Sequence, residues 1–247
     1  MWALLRNMHI TPYRTAIFQL NEDLPNFIGR HISQVAEKDI VVVSSKLFCL
    51  WKGCAVKYEN ASQKIDLIRR ESESVLPTKL AWLTIKNGMI MTNGGVDESN
   101  ANGYLLWLPP DLYGCAAQLR QALCKHYGVK QLGVLVTDSM ILPLRSGVIG
   151  AAVAYSGFKG VRDERGKKDI FGKPLQTTLV NLADGLAAAA AVTMGERDEQ
   201  TPLAVITGAK VDFTDHTNPS ELKYPPEQDL YAPLLQAAGL IQKEKKA

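Results

Sequence analysis

A mixed α+β fold is what the sequence predicts, on three observations. Three apolar runs of strand length, Ile40-Val41-Val42-Val43, Leu132-Gly133-Val134-Leu135-Val136 and Leu203-Ala204-Val205-Ile206, read as buried strands. Segments of helical period lie among them in no regular alternation, which disfavours a doubly wound sheet. An Asn87-Gly88 pair between two short apolar segments, 81–86 and 89–92, signals a hairpin, because a type I′ turn needs positive φ at both central positions. With 247 residues, 46% of them hydrophobic and 21% charged, the chain can bury one large core or two modest lobes. No repeat or low-complexity linker marks a boundary, so residues 1–247 read as one unit.

Taken in order, Asp23-Leu24-Pro25 opens a helical pattern through Phe27, Ile28, Ile32 and Val35, with Pro in the first turn where its missing N–H is harmless. The first buried strand follows at Asp39 and breaks into a polar end, Ser44-Ser45-Lys46. Residues 62–73 carry Ile65, Leu67 and Ile68 at the spacing of a short amphipathic helix, expected to serve packing only. After the hairpin, Asn93-Gly94-Gly95-Val96-Asp97-Glu98-Ser99-Asn100 forms a loop whose glycines allow close backbone approach. Residues 114–127 are a helix, with Leu119, Ala122, Leu123 and Tyr127 in period and Gly128 as its stop. It leads into the strand 132–136, expected to end at Thr137-Asp138-Ser139. A Gly-rich segment (146–152) and a charged loop (163–173) come next, and a helix of small residues then closes on Met194-Gly195-Glu196. A last helix is expected through Leu230, Leu234, Leu235, Ala238 and Ile241.

Composition excludes several classes. A net charge of +3 from 28 basic and 25 acidic residues is too balanced for a nucleic-acid or membrane-surface protein. The concentrated basic run, Lys243-Glu244-Lys245-Lys246, reads as a solvated terminus. Cys49, Cys54, Cys115 and Cys124 match neither a zinc ribbon nor a redox pair, which suits reduced thiols in the cytoplasm. No apolar run approaches the roughly 18 residues of a membrane span, and residues 1–6 lack the flanks of a signal peptide. The four histidines, His9, His31, His126 and His216, stand apart, with no pair at i, i+4 to suggest a metal site.

Neither a P-loop nor a Gly-x-Gly-x-x-Gly dinucleotide turn is present. What the chain offers is oxygen donors at element ends: Asp97, Asp138, Ser139 and Glu196, with an amide at Asn100. Carboxylates with hydroxyls are what Mg²⁺ or Mn²⁺ takes when it must also hold phosphate oxygens. Ser45 and Lys46 add a hydroxyl and an ammonium, both donors to phosphate.

Four stretches together carry a resemblance to a known family: residues 93–100, Gly133-Val134-Leu135-Val136-Thr137-Asp138-Ser139, residues 165–173, and Ala183-Asp184 through Met194-Gly195-Glu196. In order and spacing they resemble the coenzyme F420-0:L-glutamate ligase family over nearly the whole chain. The resemblance implies a mixed-sheet, two-lobed fold forming an intertwined homodimer. It implies a γ-glutamyl ligase that joins L-glutamate to a carboxylate-bearing cofactor through an acyl phosphate, using GTP or ATP, Mg²⁺ or Mn²⁺, and K⁺ in some members. Carried over by position, Asp97 and Asp138 fall at one metal, and Ser139, where Thr is usual, falls with Glu196 at a second. Ser45, Lys46, Asn100, Met194, Gly195, Arg197 and Asp198 fall where the nucleotide is contacted. Asp97 and Asp138 thus have a catalytic place, with Arg165 or Lys167 as loop cations for carboxylate or phosphate groups.

The chain also departs from the family pattern. After Thr137-Asp138-Ser139 a Gly-Arg pair and further arginines are usual; here Met140-Ile141-Leu142-Pro143-Leu144 intervenes and Arg145 alone remains. After the first strand, Cys49-Leu50-Trp51-Lys52-Gly53-Cys54 replaces a more charged run. Metal ligands survive better than anion contacts, which suits a changed acceptor such as a folate with a glutamate tail. The rival expectation is a catalytically inactive relative that still binds ligand.

Overall fold

Side-chain alternation along three central strands sets the architecture in the computed structural model, which describes residues 7–242. Residues 1–6 and the basic run at 243–246, both read above from sequence, lie outside the described residues. In chain order the elements are β1 (His9–Tyr13), α1 (Leu24–His31), β2 (Asp39–Ser44), α2 (Ser45–Trp51), β3 (Ala55–Lys57) and α3 (Ala61–Arg70). Then come β4 (Ser74–Pro77), β5 (Trp82–Lys86), β6 (Met89–Thr92), β7 (Tyr104–Leu106), α4 (Leu112–Tyr127), β8 (Leu132–Ile141) and β9 (Val148–Ser156). The chain closes with β10 (Val161–Asp163), β11 (Leu179–Asn181), α5 (Leu182–Met194), β12 (Leu203–Thr207) and α6 (Ala232–Ala237).

Five strands form one sheet in the order β1-β12-β2-β8-β9, parallel between β2 and β8 and antiparallel elsewhere. The mixed α+β class read from sequence is thus the observed one. Val41, Val43, Val134, Val136, Leu203 and Val205 point to a core shared with α1, α2 and α4. Ile40, Val42, Leu135, Ala204 and Ile206 point the other way, onto α5. Period-2 alternation of branched residues buried on both faces is what a central strand requires, and each such side chain contributes roughly 1.5–3 kcal/mol by burial. A satellite core of Leu67, Ile68, Val96 and Leu105 lies under α3, beside the β3–β7 ladder and the β4-β5-β6 sheet. The buried Lys86 ammonium donates to Glu71 at 2.8 Å, tying that sheet to the end of α3.

Several boundaries differ from the sequence reading. The helix opened by Asp23 ends at His31, and Val35 is buried beyond it. Ser45 and Lys46 are not a strand end; they form the first turn of α2, which starts directly after β2. The strand expected to stop at Ser139 runs on to Ile141, because β9 pairs with it through Ile141 and Val148. The register shifts between Val136 and Thr137, where Val153 of β9 is the extra, unpaired residue of a bulge. The terminal helix shrinks to Ala232–Ala237, with Leu230 and Leu234 exposed, so apolar period alone overstated it. The Asn87-Gly88 hairpin stands, with φ of 53° and 74°. Among the described residues no helix is long and apolar enough to cross a membrane.

Close packing of α5 on β9 depends on Gly150. A Cβ there would lie 2.5 Å from the Ala191 Cβ and 2.6 Å from the Ala187 carbonyl oxygen, and the helix backbone cannot yield locally. Gly150→Ala should therefore destabilise the fold by about 1–3 kcal/mol through overpacking, seen as a lower urea midpoint at unchanged slope. A midpoint equal to wild type would show that α5 is free to move away.

Candidate functional site

Parallel pairing of β2 with β8 puts Ser44 opposite Thr137, so the next residues of each strand, Ser45-Lys46 and Asp138-Ser139, come side by side. Lys46 directs its ammonium to the Asp97 carboxylate in a hydrogen-bonded ion pair. Asp97 is fixed twice over. Its backbone N–H and carbonyl both pair with Leu106, at 3.0 and 2.8 Å, and its carboxylate accepts from the Ser99 N–H and hydroxyl at 2.8 and 2.9 Å. The preceding turn uses positive φ at Asn93, Gly94 and Gly95; a Cβ on Gly94 would sit 2.4 Å from the Ser72 Oγ. The buried Ser45 hydroxyl reaches Asp138, whose carboxylate also accepts the Ser139 N–H at 2.9 Å.

One ammonium thus serves two carboxylates, and the pair titrates unequally. Burial pushes Asp138 above the usual carboxylate range, with Asp97 adding to it and Lys46 opposing. Burial acts the same way on Asp97, but Lys46 and Ser99 outweigh it and the net shift is downward. For Lys46, burial works against the charge, and Asp97 with Asp138 overcomes it, leaving the ammonium harder to deprotonate. The result is a half-buried nest of oxygen donors around a positive charge.

Ser139 points to the opposite face of the sheet, toward α5, as its pairing with Gly150 requires. There its hydroxyl donates to Glu196 Oε2 at 2.7 Å. Glu196 is presented by the end of α5, where Gly195 has φ of 80° and closes the helix onto Ala191. The loop of Asn100 is joined to the same segment: its Nδ2 donates to the Arg197 carbonyl at 2.9 Å. Strand β8 therefore carries two adjoining pairs, Asp97 with Asp138 on one side and Ser139 with Glu196 on the other.

Comparison with known sequences decides what this arrangement belongs to. Residues 13–208 match the family described as F420-0:Gamma-glutamyl ligase. The chain is a member of that family. Similar proteins named coenzyme F420:L-glutamate ligase come from Methanopyrus kandleri, 38% identical over 162 residues, and Methanococcus maripaludis, 41% identical over 146 residues. A third, from Archaeoglobus fulgidus, is 35% identical over 163 residues. The matches cover 64%, 59% and 65% of this chain and 64%, 58% and 65% of those proteins, so this chain spans less than two thirds of each relative's length.

Within this family member, the remaining candidates sort by position. Met194 is buried at the end of α5, and its carbonyl accepts from the Thr201 hydroxyl. Gly195 lies beside it. Arg197 and Asp198 are exposed, with Arg197 turned to Glu199 at 3.6 Å. Arg165 is not drawn into the cluster: it sits beyond β10, its guanidinium on Asp163 at 2.6–3.1 Å. Among the described residues no three His, Cys, Asp or Glu side chains gather to hold a metal. The donor chemistry nevertheless suits a hard cation, since the Asp97 carboxylate already pairs with a cationic group, the Lys46 ammonium, and the Asp138 carboxylate interacts with the same charge.

Sequence reading passed over Thr137. Its hydroxyl is buried without a hydrogen-bond partner at the bulge, one residue before Asp138. Nothing in the sequence marks it, because an unpartnered hydroxyl is a fact of packing. Thr137→Val removes that unmet donor and should leave the free protein as stable as wild type or up to about 1 kcal/mol more stable. A loss above about 1 kcal/mol in urea unfolding would show that the hydroxyl is already satisfied.

Proposed function

We propose that the chain is a nucleotide- and divalent-metal-dependent γ-glutamyl ligase that joins L-glutamate to a carboxylate of a coenzyme F420-0-type acceptor. The observation that supports it best is the convergence of Ser45, Lys46, Asp97 and Asp138 on one side of β8, with Ser139 and Glu196 on the other. The names of the similar proteins agree with it.

Amide formation from a free carboxylate needs that carboxylate activated. Transfer of the γ-phosphoryl group from GTP or ATP to an acceptor oxygen releases nucleoside diphosphate and gives an acyl phosphate. The glutamate amine then bonds to the acyl carbon as phosphate leaves. Mg²⁺ or Mn²⁺, held by Asp97 with Asp138 and by Ser139 with Glu196, would supply charge neutralisation of the phosphates. Lys46 and Ser45 donate hydrogen bonds to phosphate oxygens, with Asn100 and the segment of Met194, Gly195, Arg197 and Asp198 around the nucleoside. Arg165 would serve substrate only if its arm swings or meets a second subunit. That arm ends in Ile170 and Phe171, about nine-tenths exposed, which supports a homodimer in which it is covered.

A folate-type acceptor is the second reading, favoured by the tip of the β8–β9 hairpin. Ile141, Leu142, Val148 and Ile149 are exposed there, next to the acid pairs, and Arg145 is the sole charge between residues 140 and 149. Such a tip suits an uncharged aromatic group beside the reacting carboxylate better than an anion.

Incubation with GTP or ATP, Mn²⁺, L-glutamate and either F420-0 or a folate ending in glutamate should release nucleoside diphosphate in a glutamate-dependent manner. Asp138→Asn should lower that rate roughly 100-fold. No release with any acceptor would overturn the ligase reading and leave a ligand-binding relative.

A further inference from the structure

Helix α2 ends on a left-handed glycine, and the two residues that this ending folds onto each other are both cysteines. Gly53 has φ of 67°. Two hydrogen bonds close the turn: the Gly53 N–H donates to the Leu50 carbonyl at 3.2 Å, and the Cys54 N–H to the Cys49 carbonyl at 2.8 Å. In a cap of this kind the side chain after the glycine packs on the one in the last full turn of the helix, usually as an apolar contact. Here the contact falls to two thiols. Both are free and buried, 3% and 7% exposed, in the same core.

Cα atoms on either side of such a backbone hydrogen bond come within the roughly 4.4–6.8 Å that a disulfide spans. The two cysteines also belong to the two elements that bring Lys46 and Asp97 together. Cys49 follows Lys46 by one turn of α2, close enough for Asp138 and Lys46 to act on its thiol. Cys54 leads into β3: its carbonyl accepts the Trp107 N–H at 3.2 Å, and the next residue, Ala55, pairs with Leu106, whose backbone holds Asp97. A bond between the sulfurs would tie the helix that carries Lys46 to the ladder that carries Asp97.

We infer that Cys49 and Cys54 are a redox pair, closed to an intramolecular disulfide by a hydroperoxide and reopened by a dithiol. Cys54, the more exposed of the two, reacts first. Its sulfur bonds to one peroxide oxygen, the O–O bond breaks, one water leaves and a sulfenic acid remains. The Cys49 sulfur then bonds to the Cys54 sulfur, the S–O bond breaks and a second water leaves. Two thiol protons and two electrons have passed to the peroxide, which is reduced to water. Burial pushes both thiols above the usual range, Cys49 further, so weak oxidants leave the pair reduced.

Cys115 is the competitor for Cys54. It is half-buried on α4 and close enough to act on the Cys54 thiol. The cap bond fixes Cys49 against Cys54, whereas no backbone hydrogen bond among the described residues fixes Cys115 there.

Peptide mapping of the folded, full-length protein after hydrogen peroxide tests the inference. Trypsin cuts at Lys46, Lys52 and Lys57. The disulfide should therefore appear as residues 47–52 joined to residues 53–57, lighter by two hydrogens than the separate peptides, and dithiothreitol should release them. In Cys49→Ala, peroxide should leave a sulfenic acid at Cys54 that dimedone traps. Amide exchange at Leu106 and Trp107 should slow about threefold or more in the oxidised protein, because the tie restrains the ladder. Cys54 joined to Cys115, both thiols still open to alkylation once the oxidised protein is unfolded, or a disulfide that leaves those amides unchanged would overturn it. No substrate, nucleotide or metal is present in these measurements, so the outcome is independent of the proposed ligase activity.

Discussion

The ammonium of Lys46, set among Asp97, Asp138 and Ser45, is the interaction on which the site depends. Two carboxylates brought this close repel, and burial raises the penalty. A single cation resolves it, and three separate stretches of chain must be fixed to supply the partners. β2 hands the chain to α2 without a loop, so Lys46 leaves the sheet at the level of Asp138. Asp97 arrives from another sheet altogether, locked by its two-way pairing with Leu106. A cluster with one positive group and two negative ones keeps a net negative charge, which the proposed function would use to hold a divalent cation.

The second constraint is steric, and it lies on the other face of the same strand. Ser139 meets Glu196 where α5 runs close against β9, and α5 runs close because Gly150 and the run of alanines put nothing larger than a methyl group between them. The polar pairs are therefore consequences of packing on opposite faces of β8. The Asn100 bond to the Arg197 carbonyl ties the two sides together around the strand edge. A change in either core would be felt at the oxygens.

Much of this was legible in the amino-acid sequence, for identifiable reasons. Alternating branched residues at 40–43 and 132–136, and the Asn-Gly hairpin, are local signals that the tertiary structure obeys. The two pairs of oxygen donors were legible through the family resemblance and not through spacing, since nothing local joins Asp97 to Lys46 or Ser139 to Glu196. The start of α2 was missed because Ser44 occupies the N-cap without making a side-chain cap bond, and two serines before an apolar run read equally well as a strand end. The extension of β8 was missed because its partner, β9, begins with a glycine-rich segment that carries no strand pattern. The pairing of Cys49 with Cys54 was invisible for a different reason. Their spacing matches neither a helix face nor a redox motif, and it is the left-handed turn at Gly53 that folds one back onto the other.

The most direct measurement is anomalous diffraction from crystals soaked in Mn²⁺. The expected map shows one ion between Asp97 and Asp138, with the Lys46 ammonium displaced from its carboxylate, and a second ion at Ser139 and Glu196. Manganese bound elsewhere, or Lys46 still clamped to Asp97 in saturating Mn²⁺ with neither pair occupied, would contradict the central claim that β8 carries a cation site on each side.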